Sequence, residues 1–229
     1  MIEVKAIKKT YGRKKVLSDV SFTAEKGQIT CLIGINGVGK STVLKAIMGL
    51  IPIDKGRIHI DEQPLHPRLY ERITFVPDAI IMPRGMTVLA CMRFMQDFYR
   101  NWNPVRAIDL LAFFKLKEED KVGEMSKGNA AKLNLLLGLA MDSDYILMDE
   151  PFSGIDMFSR EQIASILTSE LIEDRGVIIT THEINDIEHL LDKAVLMDQG
   201  SVLKEFDCEI MRQEEGKSVI DVMREVYRP

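Results

Sequence analysis

Hydrophobic and polar positions change period several times along the chain, and each change marks an element. Residues 2 to 8 alternate apolar and charged positions, as a half-buried strand does, and Val16 to Thr23 repeats the alternation after the turn at Tyr11 and Gly12. Ile29 to Ile33 is almost wholly apolar, the pattern of a central parallel strand buried on both faces. Ser41 to Leu50 switches to helical spacing and is stopped by Gly49 and Pro52. Short strands are predicted around Arg57–Ile60 and Ile73–Val76. From Met86 to about Met141 the spacing is helical almost throughout, broken by Pro104 and Gly123. Strands return at Tyr145–Met148, Val177–Thr180 and Ala194–Met197, with a helix from Arg160 to Glu173 between the first two. From Lys217 onward, Val219, Val222, Met223 and Val226 share one helical face, which predicts a terminal helix docked on the body.

Strand and helix in alternation imply right-handed crossovers and a largely parallel sheet, an α/β fold. Ligands of such sheets gather at the carboxyl ends of the strands. Composition narrows the class. The chain has 229 residues, 46% hydrophobic and 28% charged, which fits a soluble globular domain with a real core. A net charge of −5 argues against nucleic acid as a partner. Cys31, Cys91 and Cys208 are widely spaced and read as reduced core thiols of a cytosolic protein. No apolar run is long enough for a membrane span, and MIEVKAIKKT lacks a signal-peptide core. A role at a membrane therefore requires another chain to supply the span.

The stretch GINGVGKST follows the apolar run 29–33 and opens the next helix. Gly34, Gly39, Lys40 and Ser41 fit the G-x-x-x-x-G-K-[ST] pattern. Glycines let successive backbone N–H groups turn inward around phosphate oxygens, and the helix start adds partial positive charge. The loop residues Gly34, Asn36, Gly37, Gly39, Lys40, Ser41 and Thr42 are therefore assigned to a nucleoside triphosphate, with Lys40 on the β and γ phosphates and Ser41 on Mg²⁺. The run YILMDE at 145–150 delivers two carboxylates to the same sheet edge. Asp149 is placed to hold Mg²⁺ through water, and Glu150 to orient and deprotonate an attacking water.

With these motifs in place, the chain resembles the ATP-binding subunits of ABC transporters over essentially its whole length. GINGVGKST, MSKGN at 125–129, YILMDEP, SGID at 153–156 and His182 occur in that family's order. The resemblance implies a P-loop NTPase core with a mostly parallel sheet, an N-terminal antiparallel β subdomain and an inserted α-helical subdomain. It implies one ATPase domain over 1–229: core with β subdomain at 1–85 and 142–206, helical subdomain at 86–141, and a helical tail at 207–229. It also implies two cassettes closing head to tail, so that each ATP lies between one phosphate loop and the partner's signature segment.

Here the signature is MSKGN where LSGGQ is usual. Ser126 and Gly128 keep the positions that face the γ phosphate, while Lys127 and Asn129 depart from the pattern. The predicted helix Ala130–Met141 follows. Tyr11 matches the aromatic that stacks on adenine, His182 the histidine that bonds the γ phosphate, and Asp156 the segment crossing the dimer interface. By residue type alone, MSKGN is a capped helix start, Tyr11 a half-buried strand-end tyrosine and His182 a loop histidine. Asp78 stands where the family usually has Gln beside the metal and the attacking water. It either ligates Mg²⁺ or belongs to an ordinary Pro-Asp turn.

The resemblance implies ATP hydrolysis with ATP and Mg²⁺, a membrane permease and a second ATP-binding subunit as partners, and a cytoplasmic position on the inner face of the membrane. The residues around Phe98–Asn103 and the MSKG signature are reminiscent of bacterial exporter-type cassettes with separate permeases. The alternative is a soluble ABC-type ATPase without a permease, of iron-sulfur-assembly or regulatory type. A non-hydrolysing regulator is disfavoured because Glu150 and His182 are both present. Finally, Val88, Met92, Met95, Phe98, Tyr99 and Trp102 share one apolar helical face. That face either packs into the helical subdomain or, with Met86 and Phe94, walls a groove for a permease helix.

Overall fold

The computed structural model describes residues 1–169, 172, 174–185 and 187–227. Ten strands among them form one mixed sheet: β1 (Ile2–Tyr11), β2 (Lys14–Ala24), β3 (Ile29–Ile33), β4 (Lys55–Ile60), β5 (Gln63–Pro64), β6 (Ile73–Val76), β7 (Tyr145–Asp149), β8 (Gly176–Thr181), β9 (Lys193–Asp198) and β10 (Ser201–Asp207). Their spatial order is β5-β4-β1-β2-β10-β9-β3-β8-β7-β6. From β9 to β6 every pairing is parallel. β1, β2, β4 and β5 pair antiparallel, and β10 turns back along β9 to meet β2. A parallel core carrying an antiparallel N-terminal sheet is the predicted fold class.

The central strands are buried on both faces because alternate residues enter different cores. Cys31, Ile146, Met148 and Ile179 pack on the side of the helical segment. Leu32, Leu147, Ile178 and Val195 pack toward the antiparallel sheet and α1 (Lys40–Ile47). The three cysteines are free and buried. Burial pushes the Cys91 thiol up to about 11 and that of Cys208 to about 12, and raises Cys31 further, so none is a thiolate at neutral pH.

Between β6 and β7 lie α2 (Val88–Phe98), α3 (Pro104–Phe114) and α4 (Lys127–Leu139). Thr87 caps α2 by accepting from the Ala90 N–H, and Asn103 caps α3 with Pro104 at its first position. Pro104 thus starts a helix where the pattern predicted a break. α4 begins inside the signature segment, not at Ala130, because Ser126 accepts from the Asn129 N–H and sets the first turn there.

The predicted apolar face of α2 divides. Val88, Met92, Met95 and Trp102 are buried, whereas Phe98 is 71% and Tyr99 46% exposed. α5 spans Met157–Leu167, and residues 170, 171 and 173 of the helix predicted there lie outside the described residues. The tail has two helices, α6 (Cys208–Glu215) and α7 (Val219–Tyr227), of which only the second was read from the periodicity of apolar positions. Among the described residues no helix is long and apolar enough to cross a membrane.

Candidate active site

The glycine-rich loop leaves β3 at Ile33 and enters α1 at Lys40. Two glycines are required by space and torsion. A Cβ on Gly34 would fall 2.5 Å from the Met197 carbonyl oxygen. Gly39 has φ of 109°, and a Cβ there would lie 2.6 Å from Leu17 Cδ2. Ile35, Asn36 and Gly37 form the exposed crest, and Val38 turns into the core. The first N–H groups of α1 have no partner within the helix and present its positive end to this crest.

Lys40 is nearly buried, its side chain 5% exposed. Its Nζ donates to the Gly34 carbonyl at 2.6 Å and lies 3.1 Å from Glu150 Oε1. Ser41, the next residue, donates from Oγ to Asp149 Oδ1 at 2.8 Å. The hydroxyl of Thr180, at the end of β8, donates to that same carboxylate oxygen at 2.7 Å. It also accepts the Glu150 N–H at 2.9 Å. Thr42 follows Ser41 in the first turn of α1, half-buried.

Glu150 has φ of 48°, a left-handed torsion that strains a residue bearing a side chain. The torsion ends β7 abruptly and leaves the carboxylate between two partners, Lys40 on Oε1 and His182 Nδ1, which donates to Oε2 at 2.8 Å. His182 follows β8 directly. The carboxyl ends of three adjacent strands, β3, β8 and β7, thus supply the loop, the threonine with the histidine, and the two acids.

The other predicted residues are spread around this centre. Tyr11 is exposed at the tip of the β1–β2 hairpin, with Lys9 Nζ 5.1 Å from its ring centre. The hairpin reaches the loop through Val16, whose carbonyl oxygen lies 3.1 Å from the Cβ position of Gly39. Ser126 and Gly128 are not packed on their own phosphate loop. Gly128 abuts the start of α5, where a Cβ would lie 2.7 Å from Ser159 Oγ and 2.9 Å from Asp156 Oδ2. Asp156 caps α5 by accepting from the Ser159 N–H and hydroxyl, and these hydrogen bonds hold its carboxyl below the usual range.

Asp78 is exposed, just past β6, beyond the point where Asn134 Nδ2 donates to the Pro77 carbonyl. No group of three His, Cys, Asp or Glu is gathered for a metal among the described residues, so Asp78 does not join Asp149 and Glu150 in a cluster. Thr180 was missed from the sequence. Its signal was a polar residue closing the run Val177–Ile179 beside a second threonine.

A phosphate-type loop feeding a helix, with a buried lysine, a serine–aspartate pair and a strained glutamate on adjacent parallel strands, defines a nucleoside triphosphatase of the P-loop class. Comparison with known proteins narrows this. The family model described as "ABC transporter" matches residues 17–153, more than half of the chain, and the chain belongs to that family. It is 31% identical over 217 residues to the ABC transporter ATP-binding protein YtrB of Bacillus subtilis, covering 93% of this chain and 74% of that one. It is 30% identical over 230 residues to the lipopolysaccharide export system ATP-binding protein LptB of Escherichia coli K12, covering 95% of both. A solved structure of an ATP-binding subunit of an ABC transporter superposes over 100% of both chains with a TM-score of 0.89 and 25% identity. The chain is an ATP-binding subunit of the ABC transporter type, and its reaction is the hydrolysis of ATP.

Proposed function

We propose that two such subunits close around ATP and Mg²⁺ and drive a separate permease from the cytoplasmic face of the membrane. One observation carries the chemistry: Lys40, Glu150 and His182 form a continuous bonded chain beside the Ser41–Asp149 pair. A buried cation whose partners are two loop carbonyls and a carboxylate is poised to exchange them for phosphate oxygens. When Lys40 turns to the β and γ phosphates, Oε1 of Glu150 becomes free to accept a proton from the attacking water. His182 holds the other carboxylate oxygen, fixing the direction of that base. The reaction is an in-line displacement helped by position and charge, with no covalent intermediate on the protein.

The serine hydroxyl and the Asp149 carboxylate, 2.8 Å apart, are hard oxygen donors of the kind Mg²⁺ prefers, too few to enclose it without water and phosphate. When bound, Mg²⁺ supplies charge neutralisation on the phosphate oxygens. Ser41 and Asp149 are its proposed holders, and Asp78, exposed just past β6, is proposed to belong to the ordinary turn.

Tyr11, exposed on the hairpin that touches Gly39, is proposed to stack on adenine. Ser126 is exposed at the start of α4 and Gly128 is seated on the Asp156 cap, so the signature and SGID segments form one surface apart from their own loop. That arrangement supports their use by the ATP of a second subunit.

A permease is supported by an apolar groove of about 570 Å³ between β6 and α2, lined by Ile81, Met86, Phe94 and Tyr99 among others. Glu150→Gln tests the reading. The amide keeps the shape but loses the base, so ATP still binds while steady-state hydrolysis falls about 10²- to 10⁴-fold. An ATP-bound dimer should accumulate in light scattering. Near-normal turnover in the purified variant would remove Glu150 from the role of base.

A further inference from the structure

The last helix does more than cover the core. Val219 and Val222 of α7 are buried, and the Val219 N–H donates to Glu188 Oε1 at 2.6 Å, so the helix is fixed at its first turn. Its other end reaches the carboxyl edge of the sheet. There the Tyr227 hydroxyl is shared between two carbonyl oxygens, that of Ile33 at 3.0 Å and that of Met197 at 2.9 Å.

The Ile33 carbonyl belongs to the root of the phosphate loop, and the Met197 carbonyl, on β9, packs against it. Ile33 is the last residue of β3, and its carbonyl lies in the same planar peptide unit as the Gly34 N–H. That N–H donates to the Thr181 carbonyl at 3.4 Å. The plane from which the loop departs is therefore held at its oxygen by Tyr227 and at its nitrogen by β8. The Met197 carbonyl is the wall that leaves no room for a side chain on Gly34. One peptide further on, the Gly34 carbonyl receives Lys40 Nζ, which in turn contacts Glu150. A single hydroxyl on the terminal helix thus begins a line of contacts that ends at the proposed base.

We infer that Tyr227 is a positioning residue for the phosphate loop, carried to it by α7. This rests on the reading of that loop as the triphosphate site. Burial pushes the phenol up to about 12, so the hydroxyl keeps its proton throughout the neutral range. Met223 and Tyr227 also line the cleft that contains His182, so a shift of the helix is felt on both sides of the site. Without the hydroxyl, the Ile33–Gly34 plane loses one of its anchors, and the loop N–H groups converge less well on phosphate. Ground-state and transition-state binding weaken together, which raises KM and leaves kcat nearly unchanged.

The test compares three substitutions in the full chain: Tyr227→Phe, Val226→Ala and Lys40→Ala. ATP affinity is measured by equilibrium titration, steady-state kinetics by phosphate release, and stability by thermal melting. Tyr227→Phe keeps the ring and loses one hydroxyl, so ATP Kd and KM should rise about 3- to 10-fold with kcat within twofold. Val226 packs against the same core and carries no side-chain group that could hydrogen-bond the loop. Its truncation should lower the melting temperature while leaving Kd and KM at wild-type values. An unchanged Kd in Tyr227→Phe overturns the inference, as does an equal rise in Val226→Ala, which would make α7 a merely structural support. Lys40→Ala separates the two levels. If it binds ATP like wild type, the triphosphate reading fails and takes this inference with it. If it loses binding while Tyr227→Phe does not, only the inference fails.

Discussion

At Glu150 a single backbone torsion decides where a charge goes. A φ of 48° costs on the order of 1–3 kcal/mol in a residue with a side chain, and it persists because its N–H is bonded to Thr180 and its carboxylate to Lys40 and His182. Thr180 is fully buried and serves both acids, donating to Asp149 and accepting from the Glu150 backbone. Valine has nearly the same shape and neither polar function. Thr180→Val should therefore lower stability by about 1–2 kcal/mol in urea titrations. It should also raise the Mg²⁺ concentration for half-maximal ATPase activity about tenfold, as loss of a partner behind a metal-holding carboxylate does. An unaltered Mg²⁺ titration would show that Asp149 is oriented without this hydroxyl.

At the scale of elements, α2 shows how one helix serves two environments. Its buried stripe of Val88, Cys91, Met92 and Met95 holds the helical segment to the core. Its outer margin leaves Phe94 38% exposed, its ring tilted against that of Phe98 with 4.6 Å between ring centres. Together with Ile81, 81% exposed, these rings create an apolar surface larger than scattered exposed residues explain. Replacing Phe94 and Tyr99 by serine should change stability by no more than about 1 kcal/mol, since neither side chain fills the core. Solution ATPase activity should persist, while co-purification with a co-expressed permease should fall. Unfolding of the variant would show that these rings are core and that docking occurs elsewhere.

Over the whole molecule, the antiparallel sheet and the parallel core must move as one body if hairpin and loop are to hold the same nucleotide. A charged network joins them at the edge opposite the site. Tyr145, opening β7, donates to Asp61 Oδ1 at 2.7 Å in the β4–β5 turn. Arg72 pairs with both Asp61 and Asp144, and Lys26 lies 3.0 Å from Asp144. Burial alone would raise Asp61, but hydrogen bonds from the Met1 amine, Tyr145 and Arg72 hold it well below the usual carboxylate range. For Asp144 burial is likewise outweighed, there by hydrogen bonds from Lys26 and Arg72. Carboxyls depressed in the folded state stabilise fully above the unfolded value near 3.8, and that contribution fades as pH falls toward the lower folded values. Arg72→Met should thus cost about 1–2 kcal/mol at pH 7, discounted for the exposure of the arginine. The gap between variant and wild type should narrow in denaturation curves taken at pH 3. A gap that stays constant with pH would assign the loss to packing of the arginine stem.

Sequence alone determined the parts whose physics is local. The doubly buried strands appeared as apolar runs, the loop as glycines and lysine between strand and helix, and the acids as the end of such a run. Each depends on residue type at fixed spacing, and spacing is preserved from chain to structure. β10, and α6 as a helix legible from spacing, escaped because their buried positions are few: Phe206 in the strand, Cys208 and Met211 in the helix. α2 was read as one stripe because periodicity says which residues share a face, not how far the neighbouring helix extends over it. Tertiary structure alone decided the pairings of atoms distant along the chain. Thr180 and Asp149 are 31 residues apart, Asp61 and Tyr145 are 84, and Tyr227 and Ile33 are 194. Those meetings follow from strand register and helix docking, which no short pattern encodes, because a hydroxyl's partner is set by what the rest of the fold brings to it.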